Sequence, residues 1–305
     1  MKRKDILLAL LVVVIWGANF TVIKLGLDGV PSMLLAALRY TFVLPALLFV
    51  KKPNIDLKYG IGYGLSVGVG QFACLFYALQ IGMPAGLASI ILQSAAFITP
   101  LLAFLFLKEP IRQKQFIGLI IASFGLFFIG RSGSNSSITE IPLPALMLTL
   151  AAASFWALSN IILKFASNEA ASKGQQIDML GVVVWTSLVP PIPLFIFAFM
   201  LDTPQMIFTT IFNLSPMSIF SIFYLAVGAT IFGYGTWSLL LGKYPASKIA
   251  PISLLVPITG LITAKIILGE SLSASQWIGG LIILIGLIFA NLDFHIFKGS
   301  FKQTA

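Results

Sequence analysis

The sequence is short of the residues that most enzyme chemistry needs. It holds one cysteine, Cys74, and one histidine, His295, in 305 residues. A lone cysteine cannot close an intrachain disulfide, and within its apolar run Cys74 reads as a packing residue. Only 10 acidic residues are present, and none falls in the middle of an apolar run. Metal clusters, Ser-His-Asp arrangements and paired carboxylates therefore lack the material to be built. A phosphate-binding loop is missing too, which argues against direct ATP drive within this chain. The string Gly68-Val69-Gly70-Gln71-Phe72-Ala73 has the form of a dinucleotide fingerprint, yet it lies inside an apolar run with no strand before it. The chain reads as a non-enzyme without a cofactor or a bound metal.

Apolar residues are what the sequence has in excess. It is 58% hydrophobic and 10% charged, with a mean hydropathy of +1.01, outside the range of soluble domains. Ten runs of about 20 apolar residues, each able to cross a hydrocarbon core, occupy 6–26, 31–50, 60–80, 84–107, 115–130, 143–165, 179–200, 217–241, 246–268 and 274–292. Alternating barrel strands are absent, so helices are the spanning solution that satisfies the backbone. The first run follows Lys2, Arg3 and Lys4 but lacks a small-x-small cleavage site, and it is read as a retained helix. The expected class is an all-α polytopic membrane protein with ten crossings.

A net charge of +9 suggests nucleic acid in a soluble protein. Its distribution favours a bilayer instead. With the N-terminus inside and sides alternating, 15 of the 19 basic residues fall inside, only Arg131 and Lys265 fall outside, and Lys24 and Arg39 remain in or near the membrane. That bias predicts both termini in the cytoplasm.

The chain also repeats itself. Pro84-Ala85, Glu109, Gln115, Gly118 and Gly125 recur as Pro245-Ala246, Glu270, Gln276, Gly279 and Gly286, each 161 residues later. Trp16 and Lys24 recur 140 residues later as Trp156 and Lys164. Five crossings per copy is an odd number, so the second copy enters from the opposite face and the repeat is inverted. The expected organisation is a first unit at 1–130, a Ser/Gly-rich outer linker at 131–142, a second unit at 143–292 and a cytoplasmic tail at 293–305. Glycines spaced along Gly60, Gly64 and Gly68, and at Gly118, Gly125, Gly279 and Gly286, read as close-packing seams.

Charges and polar groups inside apolar runs are the candidate site. Lys24 lies near a helix end, where it can snorkel. Arg39 is deeper. It either ties helices together, through a carbonyl or Glu270, or supplies a counter-charge for an anionic substrate group. Mid-helix polar and aromatic residues make up the rest: Trp16 and Asn19 in the first helix, Gln71 and Tyr77 in the third, Gln93 and Ser94 in the fourth. Trp156, Ser159 and Asn160 follow in the sixth, Tyr234 and Trp237 in the eighth. A hydrated binding site would satisfy these groups, and so would helix–helix hydrogen bonding. Glu109 and Glu270 read as structural charges, in a solvated turn or at the start of the next helix. Interior prolines such as Pro100 and Pro257 allow bends in the fourth and ninth helices.

Ten crossings in inverted halves, with the Pro-Ala … Glu … Gln-x-x-Gly … Gly pattern, resemble the EamA family of the drug/metabolite transporter superfamily over essentially the whole chain. Locally, Trp16-Gly17-Ala18-Asn19 and the segments 82–93, 233–244 and 250–257 are similar to its amino-acid metabolite efflux subgroup. The resemblance implies a secondary carrier in the cell inner membrane that exports O-acetylserine, cysteine and related metabolites by alternating access. Its cavity would lie between the halves, with Trp16, Asn19, Gln93, Tyr234 and Trp237 in the matching strings and Trp156 and Asn160 following by the repeat. The same resemblance admits other cargo, such as a hydrophobic amino acid or a purine. A lipid-modifying enzyme or an assembly partner fits less well.

Overall fold

The computed structural model describes residues 1–130 and 141–291. Nearly all of the expected linker and the whole expected tail, with His295, lie outside the described residues. All regular structure among the described residues is helical. The helices are α1 (Arg3–Leu27), α2 (Ser32–Leu48), α3 (Leu57–Gln80), α4 (Ala85–Leu107), α5 (Gln113–Gly130), α6 (Leu143–Ser172), α7 (Met179–Thr186), α8 (Pro191–Leu201), α9 (Pro204–Phe212), α10 (Pro216–Lys243), α11 (Ala246–Ser253), α12 (Val256–Leu268) and α13 (Ala274–Asn291). Five of them, α1, α3, α4, α6 and α10, are long and apolar enough to span a bilayer, and the bent pair α7–α8 makes a sixth. The remaining apolar helices α2, α5, α12 and α13 are shorter. The outer surface carries large exposed apolar side chains, among them Phe104, Phe124, Ile192, Met200 and Ile266. Water would not tolerate that surface, and acyl chains would.

Two features differ from the sequence reading. The segment 202–215, which lies between the apolar runs 179–200 and 217–241, holds α9, whose first turn is capped by Thr203 accepting from the Met206 amide at 3.3 Å. The run at 179–200 is broken by a bend of 41° at Ser187–Pro190, where Pro190 and Pro191 cannot donate to a continuous ladder. Proline sets that break; the Thr203 cap with Pro204 at the first helical position sets the start of the extra helix.

The repeat spacing also appears in the helix ends. α4 and α12 end at Leu107 and Leu268, and α5 and α13 begin at Gln113 and Ala274, each pair 161 apart. Lys108 (φ 58) and Gly269 (φ 66) both stop their helix in the left-handed conformation, and the next amide, of Glu109 or Glu270, returns to the carbonyl of Ala103 or Ala264. The repeated glutamine has a capping role. Gln115 accepts from the Arg112 amide and Gln276 from the Ser273 amide, each at 2.9 Å, so each glutamine reaches back over the first turn of its helix.

Glycine brings α5 and α13 into backbone contact. A Cβ on Gly125 would lie 2.6 Å from the Gly279 carbonyl oxygen, and one on Gly279 would lie 2.5 Å from that of Gly125. Gly118 and Gly286 meet in the same reciprocal way. Only glycine permits this approach. Further out, α1 packs along α12, and its repeat counterpart α6 packs along α4. The molecule is thereby cross-braced between its halves.

At the end of α6, Glu169 accepts from Tyr59 at 2.9 Å and from Lys173 at 2.7 Å. That hydrogen bond holds the Lys173 ammonium above its ordinary value. The cluster is solvent-screened, so it fixes geometry more than it stabilises.

Candidate functional site

Backbone irregularity marks the middle of the molecule. Gly64–Gln71 in α3 and Tyr224–Phe232 in α10 are π-helical, and their last residues are again 161 apart. A π run widens the turn and commonly accompanies a functional site. In α10 it lets Thr230 donate through Oγ1 to the Leu225 carbonyl at 2.8 Å, five residues back. In α3 it sets Gly64 and Gly68 toward the α7–α8 break, where a side chain on Gly68 would collide with Pro190.

Arg39 lies where these irregular segments meet. It is 3% exposed, and α2 carries it between α3, α8 and α10. Its Nη2 donates to Thr230 Oγ1 at 3.2 Å, while Nε and Nη1 have no partner. The guanidinium carbon sits 3.9 Å from the Phe72 ring centre and 5.3 Å from that of Tyr40, so ring faces supply much of its compensation. Among the described residues no carboxylate forms an ion pair with it. Beside it is a cavity of about 20 Å³, lined by Tyr40, Tyr63, Phe72, Thr230, Tyr234, and Gly64 and Gly68 of α3. That is room for about one water molecule.

An aromatic cluster adjoins the cavity through Tyr234. Trp16 of α1 lies 5.3 Å from Tyr234 and 5.2 Å from Trp237, ring centre to ring centre. Its Nε1 donates to the Ala229 carbonyl at 3.0 Å. Gly233 makes room for it, since a Cβ there would come within 2.5 Å of Nε1. The π segment of α10 thus holds Thr230 for Arg39 and exposes Ala229 O to Trp16.

Apart from Asn19, on α1, the remaining candidates occupy α3, α4 and α6, which pack on one another. Asn160 Nδ2 donates to Thr99 Oγ1 at 3.3 Å, and Ser159 Oγ returns to the Trp156 carbonyl at 2.7 Å. Gln93 and Ser94 lie on a 3₁₀ turn, Leu92–Ser94, that interrupts α4; Gln93 is half-buried and Ser94 buried. Tyr77 and Trp156 pack, half-buried, against the main core. Asn19 Oδ1, Gln71 Oε1 and Ser94 Oγ are buried without a partner, as polar groups awaiting a ligand or water would be. The structure therefore brings Trp16, Arg39, Tyr234 and Trp237 together, leaves Gln71, Tyr77, Gln93, Ser94, Trp156, Ser159 and Asn160 on neighbouring helices, and places Asn19 on α1 with Trp16 but outside the cluster.

The ion pair considered for Arg39 is not made. Glu270 is engaged elsewhere, accepting from the amides of Ala85 at 2.7 Å and Gly86 at 3.0 Å at the start of α4. It caps a helix of the other half rather than the next helix in sequence. Lys24 donates through Nζ to the Leu79 carbonyl near the end of α3, so a backbone oxygen of a neighbouring helix meets its charge. Tyr40, Tyr63, Phe72 and Thr230 escaped the sequence reading. A tyrosine next to Arg39 and a threonine amid apolar α10 were the available signals.

Residues 3–131 and 143–292 each match the EamA-like transporter family. A "Probable amino-acid metabolite efflux pump" of Salmonella typhimurium is 41% identical over 97% of both chains. Its counterpart of the same description in Escherichia coli is 42% identical over 94% of both. A "Probable terminal-alkyne amino-acid exporter" of Streptantibioticus cattleyicolor is 25% identical over 92% of this chain and 91% of its own. A solved protein structure superposes over 99% of this chain and all of its own, with a TM-score of 0.60 at 14% identity, which shows a shared fold alone. Repeat, fold and relatives agree: the chain belongs to the EamA-like transporter family.

Proposed function

We propose that this protein is a secondary transporter that exports small amino-acid metabolites, O-acetylserine and cysteine among them, by alternating access. In this reading ten segments cross the cell inner membrane as two inverted five-helix units, with both termini in the cytoplasm. α11 and α12 together form the ninth crossing, and α7 and α8 the seventh. The observation that carries the reading is Arg39, a buried guanidinium whose Nε and Nη1 are unpartnered, beside a cavity between helices of both halves. Such a group suits the carboxylate of an amino acid, which accepts two parallel hydrogen bonds. The aromatic faces of Trp16, Tyr234 and Trp237 suit the ammonium at the other end of a zwitterion. The small cavity volume belongs to a closed resting site that widens as helices part.

The test is efflux from intact cells loaded with labelled cysteine or O-acetylserine, comparing this chain, its Gln93→Ala variant and an empty vector. Faster efflux with the chain, lost in Gln93→Ala, supports the reading and puts α4 in the pathway. Efflux equal to the empty vector rejects this cargo. The same aromatic cluster favours a second reading, a hydrophobic amino acid, because its rings would accept an apolar side chain while Arg39 still held the carboxylate. Labelled leucine or phenylalanine in the same assay separates the two.

A further inference from the structure

Two glutamates and two lysines of the repeat are matched in sequence but not in what they hold. Lys24 and Lys164 are 140 residues apart; Glu109 and Glu270 are 161 apart. In the first half the link between α3 and α4, residues 81–84, is gripped at both ends. Lys24 binds the Leu79 carbonyl where α3 ends, and Glu270 binds the Ala85 and Gly86 amides where α4 begins. The pairing follows the helix dipoles, a cation at a C-terminus and an anion at an N-terminus. In the second half the equivalent pair is disengaged. Lys164 Nζ lies 3.6 Å from Glu109 Oε1, and both side chains are about half exposed.

Burial follows the same division. Every residue of Ala85–Ile91 is buried, and this part of α4 lies against α12. In α11, its counterpart, Lys248 is exposed where Leu87 is fully buried, although Ile249 is as buried as its counterpart Ala88. Ser94 is 4% exposed, while its counterpart Leu255 is 39% exposed. The α3–α4 hairpin is held by Lys24 and Glu270; the α10–α11 hairpin is held by neither Lys164 nor Glu109, and its link is tied instead to α1, where Tyr244 donates to Asp5 Oδ2 at 2.7 Å.

We infer that Lys24 with Glu270, and Lys164 with Glu109, are a pair of repeat-related latches that act alternately. On the shut face the two charges clamp the two helix ends of a hairpin. On the open face they release the hairpin and neutralise each other. The other conformation exchanges these states: Glu109 moves to the amides that begin α11, Lys164 to the end of α10, and Glu270 swings from α4 to Lys24. Both glutamates follow immediately on a left-handed helix end, at Lys108 and Gly269, which turns the chain sharply and presents each carboxylate across the helix terminus. They are positioning residues for transport, acting on the hairpins rather than on cargo. The inference rests on the two-faced transporter reading above, but not on its cargo.

The test reads accessibility. In a Cys74→Ser background, Ser89→Cys places a reporter on α4, one turn beyond the grip of Glu270, at a site 1% exposed. Intact cells are treated with a membrane-impermeant maleimide. Glu270→Ala releases the shut face and raises labelling roughly tenfold, because two charge-assisted hydrogen bonds are lost. Glu109→Ala lowers labelling below that of the parent. It removes the clamp of the opposite face, worth more than a half-exposed ion pair, and so traps the molecule shut on the reporter side. Lys24→Met, a second route to the same release, raises labelling as Glu270→Ala does. Opposed shifts support the latches. Labelling unmoved by both Glu270→Ala and Lys24→Met overturns them, as do shifts of Glu270→Ala and Glu109→Ala in one direction. Efflux of labelled O-acetylserine from the same cells keeps the two readings apart: absent efflux with opposed shifts rejects the cargo and retains the latches.

Discussion

Replacing Arg39 by methionine separates a substrate role from a structural one, because the two predict opposite changes in stability. Arg39 makes one hydrogen bond, to Thr230 at 3.2 Å, and lies 3.9 Å from the Phe72 ring. Against these stand the burial of a full charge and two unpartnered donor nitrogens, Nε and Nη1, each unsatisfied donor costing about 1–3 kcal/mol. Buried charges replaced by apolar side chains of similar size are often neutral or stabilising, by about 1–4 kcal/mol. Arg39→Met is therefore expected to leave the Tm in detergent unchanged or raised. Transport should fall sharply. Removing one partner of a buried, hydrogen-bonded charge pair costs about 2–5 kcal/mol, which is a loss of roughly 30-fold or more in efflux at low substrate concentration. A thermal-shift series gives the matching equilibrium measurement. Substrate at about 100 times its Kd should stabilise the parent by about 2.7 kcal/mol and leave the variant unmoved. Arg39→Lys should be intermediate, since an ammonium keeps the charge but not the planar fork. Retained efflux and thermal shift in Arg39→Met would refute the carboxylate site. A Tm lowered by several degrees would show instead that the bond to Thr230 holds the helices together.

Three further outcomes follow from the geometry. Gly233→Ala puts a Cβ 2.5 Å from Trp16 Nε1; it should break the bond to Ala229, cost about 1–3 kcal/mol and reduce efflux, with a matching change in tryptophan fluorescence. Gly125→Val wedges α5 from α13, where the Gly279 carbonyl lies 2.6 Å from the new Cβ; the Tm should fall while the substrate Kd of the surviving folded protein stays within about twofold. Trp156→Ala and Asn160→Ala should lower efflux at normal membrane levels, and unchanged efflux across Trp16, Asn19, Gln93, Trp156 and Asn160 variants would remove that set from the pathway.

Much of the architecture could be read in the sequence because the bilayer leaves the chain few choices. The 161-residue spacing of Gln115 with Gln276 reflects a repeated cap, a local property that shows directly as a pattern. The glycines at Gly118 and Gly125 likewise announced a close seam, since in lipid only small side chains let backbones meet. The cavity was less visible. Arg39 stood out as a charge in an apolar run, but Thr230 and Tyr63 join it only through the π turns of α10 and α3, and a shift from α to π leaves no compositional trace. The 3₁₀ turn at Leu92–Ser94 was hidden for the same reason. Glu270 was read as a solvated-turn charge or a cap of the next helix, whereas it caps α4 of the other half, a long-range pairing that local spacing cannot encode.

The glycine seam has a consequence for how the two halves can diverge. Gly118 faces Gly286 and Gly125 faces Gly279, so each position of one repeat meets the other repeat's equivalent of its neighbour. This is the self-complementary arrangement of a twofold dimer contact, carried within one polypeptide. A side chain gained at any one glycine must be accommodated by backbone from the opposite repeat, which has no side chain to withdraw. The cavity-lining helices can drift apart in sequence and specialise, whereas this strip binds both copies to a common history.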